Sequence, residues 1–182
     1  MLTHLRRAII VSAVFFVLLG LAYPAILTGI AQAAFSHQAN GSLGRNGSTL
    51  IGQTFSAPRW FTGRPEPANN NPLASGGANL GPRSLVLVHD VEAQAALLRK
   101  EGITPTNDLV TSSGSGIDPD ISPADAAAEA PAVARANHLP LATVQHLIAE
   151  NTTGRELGFL GSPYVDVLKL NEALARARRS AP

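Results

Sequence analysis

From Ala8 to Phe35 the chain carries no charged side chain: "AIIVSAVFFVLLGLAYPAILTGIAQAAF". Nothing else in its 182 residues restricts the fold as strongly. The most apolar part, residues 8–30, would be about 35 Å long as a helix, enough to span a bilayer core with some tilt. Arg6 and Arg7 precede the run, and the next Arg, Lys, Asp or Glu is Arg45. That asymmetry predicts an N-terminus held in the cytoplasm and everything after the run on the far side of the membrane. Pro24 is expected to kink the helix, which a membrane segment tolerates when the freed carbonyl is satisfied. The small-x-small triplet Ala31-Gln32-Ala33 also suits a signal-peptide cleavage site. Signal h-regions span only about 7–15 residues, however, so length favours a retained anchor. The division that follows is a cytoplasmic start at 1–7, a transmembrane helix at 8–30, a tether at 31–48 and an extracytoplasmic domain at 49–182.

Composition excludes several classes of function. Net charge is +1, from twelve Arg and two Lys against thirteen acids, so no broad basic field invites nucleic acid. The local cluster Arg176, Arg178 and Arg179 reads as a solvated helix end. Without cysteine there is no thiol catalysis, disulfide or Cys-ligated zinc.

After the anchor, "SHQANGSLGRNGS" is polar and Gly-rich, as expected of a tether. "TLIGQTF", 49–55, has the β-branched and aromatic content of a short strand. Residues 56–83 form a long Pro- and Gly-rich stretch with no helical or strand period, and loops of that length tend to be functional or disordered. Helical spacing returns at 84–100, with Gly102 as a stop. Ser122-Pro123-Ala124-Asp125 has an N-cap Ser, Pro at the first helical position and an acid at the third, which predicts a helix to about Ala136. Pro140 opens a third helix that closes near Gly154. "PYVDVLKL" reads as a strand with Val165, Val167 and Leu168, followed by Asn171 capping a terminal helix. The soluble part is thus predicted to be α+β, helix-rich with a small sheet.

The stretch "TSSGSGIDPDIS", 111–122, is the strongest invitation to chemistry, and four readings of it fail on inspection. A phosphate loop needs a Lys after its glycines, and the nearest is Lys100. A nucleophile elbow needs G-x-S-x-G, whereas "SSGSG" lacks the first Gly. An EF-hand needs more oxygen ligands than Asp118 and Asp120, with Gly and Glu at fixed places. A glycosidase pair would have to flank its substrate, which neighbours two apart on a turn seldom do. The remaining reading is a structured turn, with Asp118 bonding its own backbone and Ser122 and Asp125 capping the next helix. His89, His138 and His146 show no metal-ligand spacing. No catalytic residue, cofactor site or metal site is nominated. Trp60, Phe61 and Arg64, with Asn79 and Asp118 on the neighbouring loops, form the candidate partner interface, although loop aromatics also serve to pin a loop to its own core. The residues therefore suggest a binding or assembly role.

"GSTLIGQTF", "WFTGRP", "SGGANLGP", "DLVTSSGSGIDPDIS" and "GRELGFLGSPYVDVLKLNEAL" occur in this order behind one apolar segment. Together they resemble the C chain of the potassium-transporting ATPase, the Kdp system, over nearly the whole length. Departures are Trp60 where Tyr is usual, Asp120 for His, Glu129 for Gln and Ala132 for Arg, with Ser162, Tyr164 and Asp166 varying near the end. The resemblance implies a non-catalytic subunit of an inner-membrane pump. It also implies three partners: a potassium-binding A chain, an ATP-hydrolysing B chain and a small F chain. ATP and potassium would then be handled by those partners. The family is described as an assembly factor and as a catalytic chaperone that raises the ATP affinity of the B chain. With the predicted topology, that effect would be allosteric. The alternative outside this family is an anchored or secreted small-ligand binding protein using Trp60 and the loop from Asn69 to Asn79.

Overall fold

A computed structural model describes residues 2–180; Met1 and the last two positions of the expected 49–182 domain lie outside the described residues. The chain divides into two compact units, one ending at Leu43 and the other beginning at Gly44.

The first unit is dominated by one helical run, Leu2–Ala34, of 33 residues. It consists of α1 (Leu2–Phe15), a π-helical stretch (Phe16–Ala22) and α2 (Tyr23–Ala34). It is long and apolar enough to cross a membrane and buries nothing within its own chain. The helix extends the predicted 8–30 segment at both ends and includes Arg6 and Arg7. The wide turns have a local cause. Pro24 has no N–H to offer Gly20, and its ring would press on that carbonyl. The chain opens just before it, and the Tyr23 N–H reaches back five residues to the Leu18 carbonyl. One further helical turn, α3 (Ser36–Ala39), follows. A minimal hairpin, β1 (Leu43–Gly44) with β2 (Gly47–Ser48), marks the boundary.

The second unit is helix-rich around a small sheet. Its helices are α4 (Leu85–Lys100), the single turn α5 (Asn107–Val110), α6 (Pro123–Asn137), α7 (Leu141–Glu150) and α8 (Val167–Ser180). Strands β3 (Asp120–Ile121), β4 (Thr152–Thr153) and β5 (Tyr164–Asp166) form an antiparallel sheet in the order β3-β5-β4. Val165 is the register pivot, paired with Ile121 on one side and Thr152 on the other. The reversal from α6 to α7 uses His138 in the left-handed region (φ 55°), after which Leu139 donates back to the Ala134 carbonyl and Pro140 leads into α7.

The main core packs Ala126, Ala130 and Val133 of α6 against Val144 and Ile148 of α7, Leu170 and Leu174 of α8, and Val165. Phe61, from the long loop, completes it. A second cluster joins Leu98 of α4 to Ile103, Leu109 and Ala132. Helix α4 buries only Ala95 and Leu98, and Leu85, Val86 and Val88 of its first turn stay exposed, Leu85 to 84%.

Two sequence expectations are corrected. Residues 49–55 form no strand; the segment runs as turn and coil, and Gly52 donates to the Ile117 carbonyl, 2.9 Å. The predicted strand through Val167 and Leu168 stops at Asp166, whose Oδ1 accepts the Lys169 N–H at 2.9 Å and so caps α8. Val and Leu suit a buried strand and a buried helical face equally, so the acid decides where the strand ends. Asn171 therefore lies inside the helix instead of capping it.

Candidate functional site

Arg64 fixes the geometry of the longest loop. Its Nε donates to the Thr111 carbonyl, and its Nη2 to the Thr111 hydroxyl and the Ser112 carbonyl, all at 3.1 Å. Nη1 lies 3.4 Å from Asp108 Oδ1 and 4.0 Å from Asp118 Oδ2. A planar guanidinium can hold five acceptors in a fixed fork, which an ammonium cannot reproduce. One side chain thus ties 56–83 to the region around 108–118.

Two further seams join the same loops. The carboxylate of Glu66, itself buried, accepts the Ser113 N–H at 3.2 Å. Ser75 Oγ donates to the Ser115 carbonyl at 2.8 Å. Between these seams glycine meets glycine. Gly116 has φ 71°, and a Cβ there would strike the Gly76 backbone, while one on Gly77 would come within 3.0 Å of the Ser113 and Gly114 carbonyls. Two of the three serines of "SSGSG" are spent on their own turn: Ser113 Oγ accepts the Gly116 N–H at 2.9 Å, and Ser115 Oγ accepts that of Ile117 at 3.3 Å. Asp118 Oδ1 accepts the Asp120 N–H at 3.1 Å, closing an Asx turn. Ser122 and Asp125 form a reciprocal capping box at the start of α6, with an additional contact between the Ser122 hydroxyl and Asp125 Oδ2. The structured-turn reading of 111–122 is what the geometry displays.

The other side of the long loop is held from the helices. Asn171 of α8 accepts the Phe61 N–H through Oδ1 and donates to the Phe61 carbonyl through Nδ2, both at 2.9 Å. Glu129 of α6, fully buried, receives the Thr62 N–H and hydroxyl on Oε2, both at 2.9 Å, while Oε1 has no partner.

Burial pushes the Glu129 carboxyl up to about 8, against the two bonds from Thr62 that favour its charged form. A neutral carboxyl is close in shape to the amide of Gln, so this departure from the usual residue leaves the interior free of a bare charge. Asp120 rises to about 6, through burial and the nearby charges of Asp118 and Asp166, with Lys169 opposing. Burial also raises Asp108, reinforced by a hydrogen bond and repulsion from Asp125, against the pull of Arg64. For Asp125 burial acts in the same sense but is outweighed by hydrogen bonds, chiefly from Ser122, and its carboxyl stays below the usual range.

The predicted interface residues do not form one patch. Arg64 and Asp118 do meet, and through Asp108 they connect to Asp125 and Ser122. Phe61 is fully buried and pins the loop to the core, so it cannot belong to a docking surface. Trp60 is half-buried beside it, its ring 6.1 Å from that of Phe55 and 5.7 Å from the Arg178 guanidinium. Asn79 sits exposed in the left-handed region (φ 54°). Between the loop and α4 runs a groove of about 770 Å³, lined among others by Gln53, Arg64, Glu66, Asn70, Gln94 and Glu101. The sequence reading missed Glu66 and the roles of Asn171 and Glu129. Both of the latter are polar residues inside an apolar helical stripe, a pattern that signals a buried partner.

The K+-transporting ATPase c chain family model matches residues 5–176. A Potassium-transporting ATPase KdpC subunit of Acidobacterium capsulatum is 50% identical, covering 93% of this chain and 96% of the relative. Subunits of the same name from Caulobacter vibrioides and Sorangium cellulosum are also 50% identical, covering 96% and 98% of this chain and 93% and 100% of the relatives. With the match extending from the apolar helix to α8, the chain belongs to the KdpC family and is a subunit of the potassium-transporting ATPase complex, not its catalytic chain.

Proposed function

We propose that this subunit spans the inner membrane once, N-terminus in the cytoplasm, and places its folded domain on the extracytoplasmic side, where it docks on the potassium-binding A chain. It supports assembly of that chain with the ATP-hydrolysing B chain and the small F chain, and raises the ATP affinity of the B chain without touching nucleotide. The observation that carries the reading is the loop pair locked by Arg64, which offers a rigid polar face on a domain where Ser113, Ser115, Asp118 and Ser122 of the 111–122 turn already have structural tasks. Rigid, preordered loops lose little entropy on binding. With Arg6 and Arg7 inside, the folded domain and cytoplasmic ATP lie on opposite sides of the bilayer, so the coupling to ATP is allosteric. Two linked contacts, anchor and loop face, reinforce one another through effective concentration.

The test exchanges Arg64 and Trp60 separately for Ala in the full chain, and measures both recovery of the complex in mild detergent and the melting of the subunit. Arg64→Ala is expected to reduce recovery and also to lower the melting temperature, because Arg64 itself holds the face in shape. Full recovery from both variants would sink the docking face.

A further inference from the structure

We propose that the loop Arg155–Ser162 is a second membrane contact, dipping its tip into the bilayer interface. Leu157, Phe159 and Leu160 are 82%, 68% and 50% exposed, and none of them joins either core cluster. Apolar side chains gathered at one tip are unlike the scattered exposure of an ordinary soluble surface. The loop is also preformed. Leu157, Gly158 and Gly161 all have positive φ, at 51°, 82° and 76°. A leucine is held in that region only where its surroundings fix it.

The base of the loop is closed by its own backbone. Glu156 and Leu160 exchange both N–H···O bonds, at 3.0 and 2.9 Å, Phe159 N–H also reaches the Glu156 carbonyl, and Gly158 N–H reaches that of Arg155. The hydrocarbon core forbids unpaired backbone groups, but a tip that stops at the interface keeps its remaining carbonyls within reach of water. Its size argues the same way. Three side chains offer on the order of a few hundred Å², well below the roughly 800 Å² per partner of a stable protein interface. A second copy or a free protein would not be held by it. An already anchored chain can use so small a contact, because tethering supplies the effective concentration. Only residues 35–43, four of them in the turn α3, separate the end of α2 from the second unit, so the reach stays below about 30 Å. Tyr164, 37% exposed, is a side chain of the interfacial type. Arg155 and Glu156 cancel in charge, so the contact is apolar and needs no anionic lipid.

This inference rests on the reading of Leu2–Ala34 as a spanning helix, and the test separates the two. The chain has no cysteine, so single-Cys labelling has no background. The full chain is placed in phosphatidylcholine nanodiscs containing a lipid with an acyl-chain quencher. A fluorescent probe is attached in turn at Ser162→Cys on the loop, Leu18→Cys in the apolar helix and Ala127→Cys on the exposed side of α6. Quenching at 162 several-fold above that at 127 is expected. It should fall to the level of 127 when Leu157→Asp and Phe159→Asp are added. A 162 probe that behaves like 127 while 18 is quenched overturns the loop contact alone; an unquenched 18 overturns the spanning helix and the proposal with it. Shielding at 162 that arises only after the other subunits are added, without lipid quenching, assigns the tip to a protein socket and overturns the proposal too.

Discussion

The two halves of the folded domain are held by different forces. Around α6, α7 and α8 the chain buries an apolar stripe at helical spacing, from Ala126 to Leu174, and needs few specific bonds. The long loop of 56–83 contributes one buried large apolar side chain, Phe61, and otherwise depends on single polar bonds: Asn171 and Glu129 reach its backbone, while its own Arg64 and Glu66 reach out to the backbone at 111–113. Apolar burial is roughly proportional to area and forgiving of detail, whereas a directed bond in the interior is worth most when its loss strands a partner. The helical half should therefore tolerate small changes that the loop half does not.

Asn171→Ala should break the contrast most sharply. It strands the N–H and carbonyl of fully buried Phe61, at a cost of about 2–5 kcal/mol for two orphaned groups. Trp60, the single tryptophan, sits next to the clamp and reports on the loop, while far-ultraviolet circular dichroism reports on the helices. In the variant the Trp60 transition should precede the helical one; coincident, unshifted transitions would mean the clamp does not hold the loop.

Glu129→Gln sharpens the contrast through pH. The folded carboxyl titrates at about 8 and an unfolded one near 4.5, so on raising pH the unfolded chain ionises first. The stabilisation is complete below about 4.5 and is lost as pH rises to 8, at about 1.4 kcal/mol per pH unit. Asp120, raised to about 6, adds a slope of the same sign only below that pH. Between pH 6 and 8 the Gln variant should melt at a nearly constant temperature while the native chain declines. Parallel curves would show that Glu129 is ionised in the folded state.

The smallest effect belongs to Ser122→Ala. Losing one side of the capping box should cost about 0.5–2 kcal/mol, with potassium uptake by the complex retained. Uptake abolished at an unchanged melting temperature would give Ser122 a functional role instead.

These variants also divide what was readable in the sequence from what was not. The box at 122–125 was legible because its donors and acceptors lie three residues apart. The helical periods of α6 and α7, and the apolar run at the start, were legible for the same local reason. Asn171 looked like a cap because its partner is Phe61, 110 positions away. Arg64 was singled out as an interface residue, and its internal partners at 108–118 were invisible without the fold. Phe61 and Trp60 are adjacent in sequence yet serve differently, one in the core and one beside Phe55 and Arg178.

The position of Asn171 far downstream of its partner Phe61 sets an order of events. β5 is the middle strand of its sheet, Asn171 is the clamp on Phe61, and Glu172 accepts the Asn46 side-chain amide at 2.7 Å. Asn171 follows Phe61 by 110 positions and Glu172 follows Asn46 by 126, while β5 pairs with β3 and with the nearer β4. Contacts of such sequence separation form late. During synthesis the Asn171 clamp on the long loop therefore stays open until α8 arrives, and a chain cut short before Tyr164 has neither a closed sheet nor that clamp. Arrival of α8 is thereby tied to the last fastening of the long loop, at Phe61.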